Sequence, residues 1–176
     1  SLNLMGLEWA NRGINLWLVE EGSVTLATGT ATYTLPADTI DLLEHTLRTN
    51  NGTTNQTDTS LVRMSVSTYS QITNKLTTGT PTQIYIDRQR DAPTVTLWPV
   101  PSSTYNGDFV RYFRLRRIQD TGSKSSNTSD IPARFLPCMV AGLSYYLALK
   151  RPEAAQRIPT LKAIYEEQFD LAAEED

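Results

Sequence analysis

The spacing of apolar residues along the chain predicts helices at both ends and strands between them. Leu2, Met5 and Trp9 fall on one face of an N-terminal helix, and Gly13 can close that helix in a left-handed conformation. We expect residues 1–23 to form this helix and an extended segment, and the natural polypeptide to begin upstream of them.

A second helical pattern covers residues 131–176 and predicts a helical hairpin. Apolar residues repeat at helical spacing from Phe135 onward, and Pro152 separates them from a later stripe that includes Tyr165 and Phe169. Acidic side chains occupy the opposite face of this later stripe, as in an amphipathic surface helix. Because each terminal helix has an apolar face and no other helical partner, we expect the two ends to pack into one bundle.

Between the ends, residues 24–118 are rich in threonine and alternate polar with apolar positions, which is typical of β-strands. Strand-like runs occupy residues 40–49, 60–66, 82–87, 94–98 and 109–118. The run 25–35 predicts a hairpin, and Asn106-Gly107 predicts a second hairpin before the last strand. Together these runs predict an antiparallel β-sandwich or barrel-like sheet, inserted between terminal helices in an α+β fold.

Residues 119–130 form a polar arm without aliphatic or aromatic side chains. Such a segment buries too little apolar surface to fold by itself, so two interpretations are open: it is disordered, or it contacts a partner. In the second case the candidate contact residues are Lys124, Ser125, Ser126 and Asn127.

The composition excludes several classes of protein. The chain has 176 residues, 39% of them hydrophobic, and a net charge of −3, which describes an ordinary globular chain rather than a coiled coil or a disordered protein. One cysteine and one histidine cannot supply an internal disulfide or the ligand set of a structural zinc site. No apolar run approaches the roughly 20 residues that span a bilayer, so we expect no membrane contact.

Residues that could carry chemistry are few. His45 is the only side chain with an ordinary pKa near neutrality, and its strand pattern predicts a structural or surface position. Cys138 lies between apolar residues of the later helical pattern and is predicted to be buried. The chain contains no glycine-rich phosphate loop and no nucleophile elbow. We therefore expect no enzyme, with no catalytic residue, metal site or cofactor.

Arginines in the predicted strand 109–118 form the one dense basic feature of an otherwise acidic chain. Alternation places them on both faces, which a strand packed against its own core does not require. Three interpretations are open: ion pairs across a subunit boundary, which we favour, a solvated face, or contact with DNA. The acidic partner would be the C-terminal helix of a neighbour, and the candidate interface residues are Arg111, Arg114, Arg116, Arg117, Tyr165, Glu166, Phe169 and Asp170.

Two tryptophans near the start of the chain, Trp9 and Trp17, are flanked by apolar positions. A buried indole contributes a large apolar area from a single residue. We expect both to act as packing anchors that join the N-terminal segment to the rest of the fold.

Five segments that follow in order span most of the chain: LEWANRGINLW (7–17), GTATYTLPADTIDLLE (29–44), IYIDRQRDAPTVTLWPVP (84–101), IPARFLPCMVAGLSYYLALKRPE (131–153) and IPTLKAIYEEQFDLAAEED (158–176). Their combination resembles a family of head-to-tail connector proteins of short-tailed bacteriophages. Members of this family are adaptor proteins, also described as tail tubular protein A-like or as tail accessory factors.

The resemblance implies a structural virion protein at the head–tail junction, made in the cytoplasm of the bacterial host. It implies a dodecameric ring beneath the portal protein, with a tail nozzle or tail fibre proteins attached below and double-stranded DNA passing non-specifically through the lumen. The polar arm would then contact the portal or a neighbouring subunit. The alternative is a monomeric β-sandwich binding module that recognises carbohydrate or protein.

Overall fold

The computed structural model describes residues 1–14, 16–118 and 130–174. The chain divides into a helical unit, Ser1–Trp17 with Ile118–Asp176, and a β unit, Leu18–Arg117. The boundary therefore falls after Trp17 rather than after residue 23. The reason is that the first strand already starts at Val19 and pairs within the β unit.

Most of the described strands are grouped between helices at the two ends of the chain, as in an α+β fold, which confirms the predicted fold class. In chain order they are α1 (Leu2–Asn11), β1 (Val19–Thr25), β2 (Thr32–Thr34), β3 (Thr39–Thr49), β4 (Thr57–Ser60), β5 (Val62–Met64), α2 (Val66–Gln71), β6 (Thr78–Gly79), β7 (Gln83–Asp87), β8 (Thr94–Trp98), β9 (Val100–Pro101), β10 (Phe109–Arg116), α3 (Leu136–Ala148) and α4 (Ile158–Ala173). Short 3-10 turns lie at Leu16–Leu18, Ser103–Tyr105, Ala133–Phe135 and Pro152–Arg157.

In the helical unit, α1, α3 and α4 contribute side chains to one apolar core. Pro137 and Pro159 lie in the first turns of α3 and α4, where a missing N–H removes no intrahelical hydrogen bond. Both prolines therefore start helices instead of breaking them. The buried residues of this core are Met5, Trp9, Ile14, Phe135, Cys138, Tyr165, Phe169 and Ala172.

Gly142 of α3 allows a close approach of the neighbouring helices. A Cβ atom at this position would lie 2.5 Å from Met5 Sδ on α1 and 2.7 Å from the Tyr165 ring on α4. The absence of a side chain is therefore a packing requirement, which outweighs the lower helix propensity of glycine.

The β unit contains two four-stranded sheets and one pair of short strands. The first sheet has the strand order β1-β10-β3-β4 and is antiparallel throughout. The second sheet has the order β2-β8-β7-β5, and in it β5 runs parallel to β7. The short strands β6 and β9 also pair in parallel. The sheets are thus mainly, but not wholly, antiparallel.

The two four-stranded sheets share one apolar core, as in a β-sandwich. Along β10, the buried residues Val110, Tyr112 and Arg114 alternate with more exposed ones, which is the period of two that predicted this strand. The core residues contributed by the two sheets include Leu42, Leu47, Val110, Tyr112, Ile84, Ile86, Val95 and Leu97.

Both hairpins predicted from turn residues are wrong. β1 pairs with β10 and β2 pairs with β8, so the run 25–35 crosses from one sheet to the other. Asn106-Gly107 lies between β9 and β10, which also belong to different sheets. Gly107 does have a positive φ of 87°, but Asn106 has a φ of −66°. Turn residues fix local backbone angles, whereas distant residues decide which sheet the next strand joins.

We expect Gly142→Ala to lower the free energy of unfolding by about 1–3 kcal/mol, because the added methyl group overpacks Met5 and Tyr165. Urea unfolding followed by far-UV circular dichroism measures the change. Gly6→Ala is the matched control on α1, because its Cβ would lie an ordinary 3.6 Å from Ile118. Loss of this helical glycine should stabilise by about 0.5–1 kcal/mol. Shifts of the same sign in both variants would contradict the close packing at Gly142.

Candidate functional site

Arg114 lies at the centre of an ion-pair cluster on β10. Its side chain is 9% exposed, and it donates to Asp38 Oδ1 at 2.5 Å, Glu20 Oε2 at 2.6 Å and Thr39 Oγ1 at 2.9 Å. Glu20 reaches it from β1 and Thr39 from β3, the two strands that flank β10. Burial alone would lower the pKa of Arg114, but its bonds to Asp38 and Glu20 raise it above the usual value.

Two further arginines of β10 also contact carboxylates of the same sheet. Arg111 forms an ion pair with Glu21 of β1. Arg116 Nε lies 3.8 Å from Glu20 Oε2, so that Glu20 faces both Arg114 and Arg116. The edge strand β1 thus supplies carboxylates that compensate the positive charge of its neighbour in the sheet.

Arg117 has partners within the β unit as well. Its Nη2 atom donates to the carbonyl oxygens of Ala37 at 2.6 Å and of Arg90 at 3.0 Å. The sequence pattern led us to expect partners from a neighbouring subunit, whereas the structure provides partners from the same chain for all four arginines. Ion pairing across a subunit boundary stays a prediction.

Arg12, just after α1, binds to α4 in the helical unit. Its guanidinium donates to both carboxylate oxygens of Glu166, at 2.8 and 3.0 Å, and lies 2.6 Å from Glu8 Oε1. Its Cζ atom also lies 4.3 Å from the centre of the Phe169 ring. The hydrogen bond between Arg12 and Glu166 raises the pKa of the arginine and lowers that of the glutamate. This bidentate pair fixes the end of α1 against α4.

Glu8 extends this polar network to α3. Its Oε2 atom accepts hydrogen bonds from the hydroxyls of Tyr146, at 2.5 Å, and of Tyr165, at 3.1 Å. The Trp9 Nε1–H in turn donates to the Tyr165 hydroxyl at 3.0 Å. The hydrogen bond to Glu8 raises the pKa of Tyr146 to about 12. A satisfied network of this kind specifies one arrangement of the three helices.

Several of the predicted interface residues are buried or form ion pairs within the helical unit. Tyr165 is fully buried and Phe169 is 6% exposed, so neither side chain is available to a neighbouring subunit. Glu166 is partly exposed and paired with Arg12, and Asp170 is exposed. The predicted contacts of the polar arm, Lys124, Ser125, Ser126 and Asn127, lie outside the described residues.

The two tryptophans of the N-terminal segment lie beside the same aromatic ring. Trp9 is fully buried, with its ring centre 5.6 Å from that of Phe135. Trp17 is half-buried, and its ring centre lies 4.7 Å from that of Phe135. Phe135 immediately precedes α3, so both indoles contact the start of the helical hairpin.

The outer face of α3 is the clearest exposed apolar surface. The helix spans 13 residues, Leu136–Ala148, and contains no charged side chain. Leu136 is 42% exposed, Val140 61% and Leu147 50%, and their spacing places them on one side of the helix. Sequence reasoning gave this helix a single apolar face and missed the second. The uninterrupted lack of charge was the signal that could have revealed it.

The other helices of this unit carry smaller exposed apolar pairs. On α1, Leu4 and Leu7 are both more than half exposed, and on α4, Ile164 and Leu171 lie on one side of the helix. Together with the face of α3, these residues form what we call the outer apolar surface of the helical unit. Surfaces of this kind are typical of chains that pack against other proteins.

His45 and Cys138, the two reactive side chains singled out by sequence, are both buried. Burial lowers the pKa of His45, helped by the nearby positive charge of Arg63, and neither ring nitrogen has a hydrogen-bond partner among the described residues. Burial raises the pKa of the Cys138 thiol to about 12, so the reactive thiolate is not populated near neutral pH.

The described part of the chain has neither a cluster of metal ligands nor a membrane-spanning helix. No group of three or more His, Cys, Asp or Glu residues is placed there to hold a metal ion. Residues 1–14, 16–118 and 130–174 also include no helix with both the length and the apolar character needed to cross a bilayer.

The polar networks described above hold the chain's own elements together, while the outer face of α3 exposes apolar side chains, as expected of a chain that packs against other proteins. The family model described as SU10 adaptor protein matches residues 1–176, and the chain therefore belongs to the SU10 adaptor protein family. It is a phage adaptor-type structural protein, associated with the virion and with other virion proteins, and the family is not an enzyme class. No curated protein matches the chain.

We expect Arg114→Met to lower the free energy of unfolding by about 1–3 kcal/mol, because Thr39 and the partly exposed Asp38 and Glu20 lose their charged donor. Urea unfolding measures the difference. Arg90→Met is the control, because Arg90 and its partner Asp91 are both more than four-fifths exposed; it should change stability by less than about 0.5 kcal/mol. An equal loss of unfolding free energy in Arg114→Met and Arg90→Met would show that the cluster around Arg114 stabilises the fold no more than an exposed ion pair does.

We expect the stability of the β unit to fall as the pH drops below about 6.5, the ordinary pKa of histidine in an unfolded chain. The folded chain keeps buried His45 neutral beside Arg63, despite the opposing charges of Glu44 and Asp41. The unfolded state then binds the extra proton, so the stabilisation present above this pH is lost below it.

His45→Leu should remove this dependence, and unfolding free energies between about pH 7.5 and pH 5.5 measure it. This window lies above the range in which carboxylates with lowered pKa values, such as Asp38 and Glu166, become protonated. The same pH slope in the original chain and the variant would contradict the assignment to His45.

Proposed function

We propose that the chain is one subunit of a closed ring at the head–tail junction of a short-tailed phage. In this proposal the ring joins the portal protein to a tail nozzle or tail fibre proteins and lines the channel through which DNA leaves the head. Membership of the SU10 adaptor protein family supports an adaptor role. The resemblance to connector proteins of short-tailed phages supports the dodecameric form.

The observation that carries this proposal is the charge-free outer face of α3. Burying a leucine- or valine-sized side chain contributes about 1.5–3 kcal/mol relative to leaving it in water. Leu136, Val140 and Leu147 are 42%, 61% and 50% exposed, so each gives up roughly half of this contribution in the isolated chain. A neighbouring subunit that covers them would recover it and would explain why no charged residue interrupts the helix.

The distribution of the outer apolar surface favours a ring over a simple pair. A ring needs two different contact regions on each subunit, and exposed apolar residues on three helices, α1, α3 and α4, could supply them. Contacts between two different faces repeat from subunit to subunit and close into a ring when the rotation permits. A single self-complementary face would stop at a dimer.

The electrostatics of the chain fit a channel that lets DNA pass without holding it. The net charge is −3, and three arginines of β10 are compensated by carboxylates of the same sheet. Tight non-specific DNA binding needs cations that contact phosphates and release counterions. A first sheet with compensated arginines would offer few such contacts if it lined the proposed channel, which fits non-specific passage.

We expect Val140→Lys to prevent assembly while changing the free energy of unfolding by less than about 0.5 kcal/mol, because Val140 is exposed in the isolated chain. Sedimentation velocity, with and without a cognate portal ring, measures assembly. Gln156→Lys is the matched control, since it adds the same charge at another exposed position of the helical unit.

Two outcomes would contradict the proposal. A chain that stays monomeric and does not bind a portal ring would instead support the β-sandwich binding module. Normal assembly of Val140→Lys would show that the outer face of α3 is not the interface.

A further inference from the structure

The edge strand β1 is unusually long and regular for an uncovered strand. All seven of its residues, Val19–Thr25, pair with β10 without a register shift, and among the described residues no strand lies on its other side. The other edges of the two four-stranded sheets are much shorter, with three residues in β2, four in β4 and three in β5. A long open edge is a template for pairing with another strand.

The backbone groups on the open side of β1 can be assigned from the ladder. Leu26 N–H donates to the Asp108 carbonyl at 2.8 Å, so in an antiparallel pair Val24 and Gly22 also bond to β10. Ser23 and Glu21 therefore direct their N–H and C=O groups outward. Within the described residues, no hydrogen bond to these outward groups is formed.

The usual protections of an edge strand are weak here. β1 contains no proline, lysine or bulge. Its two charged residues are Glu20 and Glu21, and each is paired with an arginine of β10, Glu20 with Arg114 and Glu21 with Arg111. The charges that would repel another strand are thus compensated inside the sheet.

The opposite edge of the same sheet, β4, has matching properties. All four of its residues, Thr57–Ser60, are exposed. Its only charged residue, Asp58, is paired with Arg48 of β3 at 2.5 Å. Leu61 N–H donates to the His45 carbonyl, so Asp58 and Ser60 are the residues of β4 whose backbone groups point outward.

Strand direction makes these two edges compatible in a ring. The first sheet is antiparallel throughout its order β1-β10-β3-β4, so β1 and β4 run in opposite directions. In a ring, each copy is related to the next by rotation about the ring axis. Such a rotation leaves unchanged the direction of a strand that runs along this axis. A copy placed beside β1 by such a rotation therefore meets it with an antiparallel β4. Two β1 strands would instead pair through a two-fold axis, which ends at a dimer.

We propose that β1 of one copy pairs with β4 of the next copy, so that the first sheets of neighbouring subunits join edge to edge. The partner is a second copy of this chain, and the contact consists mainly of backbone hydrogen bonds. This inference rests on the proposed ring and adds an interface in the β unit to the one expected in the helical unit.

Ser23→Pro tests the edge directly. Proline removes only the outward N–H of Ser23 and places its ring on the open side, while bonds to β10 are kept. We expect the fraction of chain in rings to fall by about tenfold or more, with an unchanged unfolding midpoint. Ser23→Ala is the control, because it removes the hydroxyl and keeps the backbone donor; it should assemble normally.

Cross-linking identifies the partner strand. Ser23 and Ser60 lie at opposite edges of one row across the first sheet, through Arg111 and Thr46. A Ser23→Cys chain mixed with a Ser60→Cys chain should give covalent dimers with a flexible bismaleimide, and neither chain alone should do so. Native Cys138 is 1% exposed and does not compete.

The outcomes separate this inference from the proposed ring. Dimers from Ser23→Cys alone would show that β1 pairs with itself and overturn the inference. Rings that form without cross-links and tolerate Ser23→Pro would overturn it and leave the ring intact. If neither rings nor cross-links form, both proposals are overturned. If cross-links form without rings, the edge pairing is supported, and the assembly is open rather than closed.

Discussion

α3 has no charged side chain on any of its sides, and this constraint shapes the packing of the helical unit. Its inner side is covered by the chain itself, where Cys138 and Gly142 meet α1 and α4. Its outer side remains exposed, which makes the isolated helical unit incomplete. The same absence of charge that lets α3 form the centre of the helical core therefore also leaves the exposed apolar face on which the proposed ring interface rests.

Charge in this molecule is concentrated in pairs that act within each unit. Arg12 bridges α1 and α4 through Glu8 and Glu166, and Arg114 bridges three segments of the β unit through Glu20, Asp38 and Thr39. Buried or half-buried pairs of this kind add specificity more than net stability, since desolvation offsets much of their attraction. They help to define where each element lies within its own unit.

Local patterns predicted the elements well and their partners poorly. The alternation in 94–98 gave the bounds of β8, and helical spacing located α3. Turn residues could not show that β1 and β2 belong to different sheets, because that choice depends on distant strands. The sequence pattern favoured ion pairs between the arginines of β10 and acidic groups of a neighbouring subunit. The carboxylates that bind Arg114 lie 76 and 94 residues away in sequence, a proximity that only the folded chain creates.

The passage from β4 to β5 has a mechanical consequence. Only Leu61, which is 4% exposed, separates the last residue of β4 from the first of β5, and these strands belong to different sheets. A force applied along β4 is therefore transmitted directly to β5 in the second sheet, because no flexible loop separates the two strands. Displacing either strand would also drag the Leu61 side chain out of the core. In the proposed ring, a subunit built in this way would resist tension between neighbouring copies with both sheets together.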